Sequence, residues 1–214
     1  MKSDMQLKQE VIDELNWDPS VDAVAIGVEV NDGVVTLSGH LPSLPCKLAA
    51  ERAAERIAGV KAVAVNLEVR PAGAQSDEAI GAAAHDALRW HVHLPDDAVR
   101  VRVEKGWVTL TGRVDWSYQR DLAERVVSHL RGVSGVTDLV LLKDRVAPPD
   151  IVQRIEAAMR RHAEREARHI DVAIEHGAVT LTGEVGSLAE RKAAVGAAWS
   201  APGVTSVVDH LRVS

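Results

Sequence analysis

A seven-residue pattern, Gly-x-Val-Thr-Leu-x-Gly, occurs three times in this chain, over residues 33–39, 106–112 and 177–183. The first glycines lie 73 and 71 residues apart (33 to 106, 106 to 177), so the pattern marks a unit of about 70 residues repeated in tandem. Gly59-Val60, Gly132-Val133 and Gly203-Val204 each follow the second glycine of their own copy by 20 residues, so the repeated unit is a whole small domain. Upstream, Trp17 and Trp90 both stand 16 residues before their hairpin glycine, where the third copy has Arg161. The 214 residues therefore divide into repeats at 1–70, 71–145 and 146–214. Domains this small bury only a modest core. With no Phe and one Tyr, that core is built from Val, Ile, Leu and Ala, and neighbouring units are expected to support one another.

Within one copy, Ser3 followed by Gln6 reads as a capping box, and Leu7, Val11, Ile12 and Leu15 share one side of a helix near 4–16. Asp18-Pro19-Ser20 stops it. Val24, Ile26, Val28 and Val30 then alternate as in a half-buried strand, and Asn31-Asp32-Gly33 is a hairpin turn signal. Val35 and Leu37 continue a second strand, which is expected to end at Gly39, where close backbone approach tolerates no Cβ. An amphipathic helix follows over 43–58, with Gly59 at its C-terminal end, and Val60 to Val69 supply the last strand. The corresponding second helices fall at 116–130 and 187–199, the latter with a second capping box from Ser187 and Glu190. A right-handed crossover lays the third strand parallel to the second. The fold class is α+β: three tandem αββαβ repeats, each a three-stranded mixed sheet covered on one face by two helices.

An αββαβ unit with Gly-x-Val-Thr-Leu-x-Gly in its hairpin and Gly-Val opening its last strand resembles the BON domain family (bacterial OsmY and nodulation), in three copies across nearly the whole chain. The resemblance implies a non-enzymatic protein of the envelope or osmotic stress response. It also implies contacts with anionic phospholipid, outer-membrane assembly factors or secretion pores.

Charge limits the partners further. The net charge of −6 divides as −4, −1 and −1 over the three repeats, and no unit has the cationic excess that phosphate neutralisation needs, which argues against nucleic acid. The first ten residues are polar and alternately charged, unlike a secretory signal, and no window approaches the ~18 apolar residues of a membrane span. A cytosolic location is expected, with the periphery of the inner membrane as the alternative. Cys46 is the one cysteine, so an intramolecular disulfide is impossible.

Few residues carry a chemical signal. Gly33, Gly39, Gly106, Gly112, Gly177 and Gly183 flank a strand rather than a phosphate-cradling turn, and read as turn and bulge geometry. His91 and His93, with His85 before them, are the minimum for a metal site, but nothing reinforces them and a solvated pair is the simpler reading. Cys46 has no associated catalytic motif, so no catalytic residue, metal or cofactor is assigned. Trp17, and Trp90 beside Arg89, end their first helices, where an indole serves either domain packing or an interfacial contact with lipid or a partner. The third first-helix carries Arg154, Arg160, Arg161, Arg165 and Arg168 among glutamates, a pattern that suits a solvated helix or an anionic membrane surface. Protein–protein association, including self-assembly, is the expected mode of action, with anionic phospholipid as the alternative partner.

Overall fold

The computed structural model describes residues 2–71, 73, 75–143, 170–175, 177–201 and 204–213. The first repeat runs α1 (Asp4–Trp17), β1 (Ile26–Asn31), β2 (Val34–Leu41), α2 (Leu44–Arg56) and β3 (Ala62–Val69). The second runs α3 (Asp77–Arg89), β4 (Val99–Glu104), β5 (Trp107–Val114), α4 (Ser117–Ser128) and β6 (Gly135–Leu142). In the third, β7 (Ile170–Glu175), β8 (Ala178–Val185), α5 (Leu188–Ser200) and β9 (Ser206–Val213) are described. The arginine-rich helix expected before β7, with Arg160 and Arg161, lies outside the described residues. Each sheet places its hairpin strands antiparallel and its third strand parallel to the second, as expected where a helix connects the two strands.

Local signals explain the helix starts. The Ser3 hydroxyl accepts the Gln6 amide while the Gln6 side chain accepts the Ser3 N–H, the reciprocal pair expected from the sequence. At α5 only half of that box forms: Ser187 Oγ accepts the Glu190 N–H, but Glu190 reaches one residue further back, to the Gly186 N–H at 2.8 Å. At α4, which has Trp116 as its N-cap, the Gln119 carbonyl accepts both the Asp115 and Trp116 amides.

Two strand boundaries differ from the sequence reading, for one physical reason. β1 begins at Ile26, because Ala23–Ala25 form a short 3₁₀ turn that turns Val24 out to 97% exposure. β2 does not end at Gly39 but runs on to Leu41, paired with β3 as far as Val69. Both follow from the path at Gly39, whose φ is +141° and whose missing Cβ would sit 2.0 Å from the Ala25 carbonyl oxygen. Gly112 repeats this against the Ala98 carbonyl, with φ +140° and the same 2.0 Å. The strand continues because only a glycine occupies the crossing point.

In the first two repeats the hairpin is also tied to the start of the first helix. The Asp4 carboxylate accepts the Asp32 and Gly33 amides at 2.9 and 3.0 Å, and Asp77 accepts those of Lys105 and Gly106 at 2.7 and 2.8 Å. Two otherwise orphaned turn N–H groups are thereby satisfied by one ionised side chain at a helix N-terminus, where negative charge is favoured.

The cores lie between sheet and helices. In the first repeat Leu7, Val11 and Leu15 of α1 meet Val35, Leu37 and Leu41 of β2, and Ala50, Ala53 and Ala54 bring α2 in close. Each buried Leu or Val contributes about 1.5–3 kcal/mol. The cores are not independent: Leu44, at the start of α2, is buried in the second repeat's core, with Leu48 and Val69 packed beside it. Leu188 of α5 packs in turn on the first repeat's core.

Gly39→Ala should cost about 2–4 kcal/mol of unfolding free energy in urea titration, since the added methyl meets backbone that cannot move aside. Gly196→Ala, in α5 with nothing within 4 Å of the new Cβ, should instead stabilise by about 0.5–1 kcal/mol.

Candidate functional site

The ends of α1 and α3 present the most exposed aromatic side chains of the described residues. Trp17 is 83% exposed and Trp90 86%, at positions that correspond between the repeats. The turn after Trp17 is built from its neighbours: Asp18 accepts the Ser20 amide and hydroxyl and pairs with Arg56 at 3.4 Å. The Ser20 hydroxyl, then its amide, then Arg56 hold the Asp18 carboxyl below its usual range. Trp90 is the C-cap of α3, its amide bonded to the Asp86 carbonyl at 2.9 Å, and the following loop is held by Gln119, whose amide group donates to the His93 carbonyl at 2.9 Å. Both indoles are therefore displayed by ordered turns. Val24 stands near the first and Val92 near the second along the chain, each almost fully exposed, and Arg89 is exposed beside Trp90.

The histidines do not converge. His91 and His93 stand with ring centroids 5.9 Å apart, and His93 meets the edge of Tyr118. His85 opens on a shallow polar groove of about 340 Å³ shared with Arg89, Asp96 and Asp97. Among the described residues no three His, Cys, Asp or Glu side chains gather to hold a metal. Cys46, half-buried in the first turn of α2, receives a hydrogen bond from Ser43 Oγ at 3.1 Å and packs on the first core. Gly33, Gly106 and Gly177 hold turn conformations with φ of +80°, +75° and +86°, and Gly183 has a φ of +135°, close to those of Gly39 and Gly112.

A second feature emerges only in three dimensions. The second helices of the repeats meet, α5 packing against both α2 and α4. Lys192 of α5 binds both oxygens of the buried Glu55 of α2, at 2.6 and 2.8 Å. Arg120 of α4 lies 5.4 Å above the centroid of the Trp199 ring, a cation–π contact between repeats two and three. Arg120 also stands 3.6 Å from Asp138 on β6, and the corresponding Arg191 binds Asp209 on β9 at 2.7 Å. Burial pushes the Asp138 carboxyl above its usual range, against the pull of the Val140 amide and Arg120. Glu55, Arg120, Arg191, Lys192, Trp199 and Asp209 border a groove of about 470 Å³ between the repeats, in which cations and carboxylates are matched in pairs, so the groove joins domains rather than attracting an ion of either sign.

Sequence reasoning missed the junction because its contacts, Lys192 with Glu55 and Arg120 with Trp199, join different repeats, and a comparison of repeats aligns equivalent positions without showing which of them touch. The Asp4 and Asp77 ties were missed as well, although the signal was present: both aspartates stand 29 residues before their hairpin glycine.

The described residues thus form three small mixed sheets in tandem, tied together where their second helices meet. The chain belongs to the BON domain family, whose family model matches residues 3–71, 76–144 and 149–214. It is similar to Osmotically-inducible protein Y of Escherichia coli (strain K12), 28% identical over 144 residues that cover 64% of this chain and 72% of that protein. It is also 31% identical over 123 residues to the "Uncharacterized protein in gshII 5'region" of Anaplasma centrale, covering 54% of this chain and 82% of the other. CdsD, a structural protein of the Type III secretion system of Chlamydia trachomatis, aligns over 96% of this chain and 91% of its own at 16% identity. Its TM-score of 0.27 adds nothing to the fold described above. Among the described residues no helix is long and apolar enough to cross a membrane.

Lys192→Ala should cost more stability than Glu55→Gln, because it leaves a buried carboxylate unpaired whereas Lys192 itself is exposed and can be hydrated. The expected loss for Lys192→Ala is about 1–3 kcal/mol, read by denaturant unfolding.

Proposed function

We propose that the chain is a non-enzymatic binding and scaffolding protein of the envelope or osmotic stress response, acting by protein–protein association with Trp17 and Trp90 as its anchors. The observation that carries this reading is the display of two corresponding indoles, 83% and 86% exposed, on turns whose hydrogen bonds already hold them outward. Trp is the residue most enriched among interface anchors, and a rigid indole loses little entropy on docking. The similarity to Osmotically-inducible protein Y supports the stress context.

Local charge favours a protein over a lipid surface. Asp18 and Asp22 follow Trp17, and Asp96 and Asp97 follow Trp90, so an anionic bilayer approaching either indole meets carboxylates. The alternative, peripheral binding to anionic phospholipid, is favoured by one observation, the exposed Arg89 beside Trp90. In that reading Arg160 and Arg161 of the third repeat join the contact.

A photo-reactive benzophenone side chain placed at Trp17 or Trp90, irradiated in cells, should give discrete adducts of protein mass, and purified protein should ignore anionic vesicles at low salt. Absence of protein adducts, together with vesicle flotation that fades as salt is raised, contradicts this reading and supports the lipid one. Trp17→Ala with Trp90→Ala should leave unfolding free energy within about 0.5 kcal/mol of the parent and weaken adduct-forming partners tenfold or more.

A further inference from the structure

The sheets have two faces, and the one turned away from the helices is open. On the second repeat it is bulky and cationic. Trp107, Leu139 and Leu141 are 47%, 56% and 58% exposed, and Arg100, Arg102 and Arg113 share the face with them. Trp107 is fixed in place: its ring lies flat on Gly135, where a Cβ would come 2.4 Å from a ring carbon, and its Nε1–H donates to Thr137 Oγ1 at 2.8 Å. In the strand register Arg100 stands beside Thr111 and Thr111 beside Leu139, while Arg113 stands beside Leu141. An apolar strip thus runs along β6, with guanidinium groups next to it on β5 and β4. Arg102 is paired with Glu104 at 2.9 Å, whereas Arg100 and Arg113 have no ion pair among the described residues.

The same face of the first repeat has the opposite character. Gly27, Ala62 and Ala64 leave it shallow, and Glu29 and Glu68 make it acidic. Glu68 is shared with Arg70 at 2.8 Å and His40 at 3.3 Å, while Glu29 has no ion pair among the described residues. The third repeat's face mixes Asp171 with His210 and Arg212 and matches neither. Sheets pack face to face about 10 Å apart when large side chains of one meet small ones of the other.

We propose that the chain self-associates through these faces, the bulky cationic sheet face of the second repeat in one copy docking on the shallow acidic sheet face of the first repeat in the next. The proposal rests on the reading that the chain acts by protein association, and it uses a surface separate from Trp17 and Trp90. Because the two faces differ, the contact is heterologous and grows open chains instead of closing a dimer. One strand of six residues and two of eight offer roughly 350 Å² per side, well under the ~800 Å² of a standard interface, so the association is weak and reversible.

Sedimentation velocity of the full chain tests it, over ~10 μM to ~1 mM to cover the affinities such an area supports. The parent should grow with concentration. Arg100→Glu with Arg113→Glu should stay monomeric, as should Glu29→Arg with Glu68→Arg, and an equimolar mixture of the two variants should associate again. Leu139→Ser, which changes no charge, should also weaken growth. A parent that is monomeric throughout, variants that assemble as the parent does, or a mixture that stays monomeric would overturn the proposal. Anionic vesicles or an acidic Glu-Leu peptide binding the second sheet face of a monomeric parent would overturn it too, and would name the other occupant. Protein adducts at Trp17 and Trp90 should persist in both charge-reversed variants, so failure of this contact is distinguishable from failure of the anchor reading.

Discussion

The first and second repeats each depend on a point where two stretches of backbone nearly touch. At Gly39 and at Gly112 the second strand passes so close to the carbonyl that precedes the first strand that no side chain fits between them. That crossing sets the hairpin's register, forces the turn that leads into the first strand, and lets the second strand run on to meet its parallel partner over its full length. The aspartate at the head of the first helix then fastens the hairpin turn to the helix. With strand, turn and helix fixed together, the apolar side of the first helix has one place to go, and the small core of Val, Leu and Ala closes around it.

Cores of this size are marginal alone, and the chain compensates by sharing them. Leu44 belongs to the first repeat by sequence and to the second by packing, while Leu188 links the third repeat to the first. The Lys192–Glu55 pair and the Arg120–Trp199 contact lie where the second helices meet. Their value is geometric as much as energetic, because an ion pair with one exposed partner stabilises modestly. They fix how the indoles at the ends of α1 and α3, and the open sheet faces, are disposed on one body. Surfaces too small to bind firmly one at a time can then act together.

Much of this was legible in the sequence. The glycines announced the hairpins, Ser3 and Ser187 announced the starts of α1 and α5, and the helical crossover after the second strand gave the parallel third strand. Val24 was misread because alternation of apolar residues continues through it, and nothing local reveals that Gly39, far along the chain, pulls Ala25 into a tight turn. The shared cores were hidden for a different reason: Leu44 and Leu48 look like the apolar side of any amphipathic helix, and sequence does not say whose core receives it. The indoles were noticed as candidates by their spacing, but their exposure depends on the turns of Asp18 and Gln119, which only the fold displays. The sheet faces were not anticipated at all, since alternate strand positions facing away from the helices read as ordinary solvent-exposed residues.

The claim that three copies behave as one body is tested most directly by native-state hydrogen exchange followed by mass spectrometry. Amides at the centres of β2, β5 and β8 should share one opening free energy, because losing any repeat strips apolar contacts from a neighbour. Exchange of β8 at a distinctly lower free energy, with β2 and β5 still protected, would show that the third repeat opens by itself and would contradict the account.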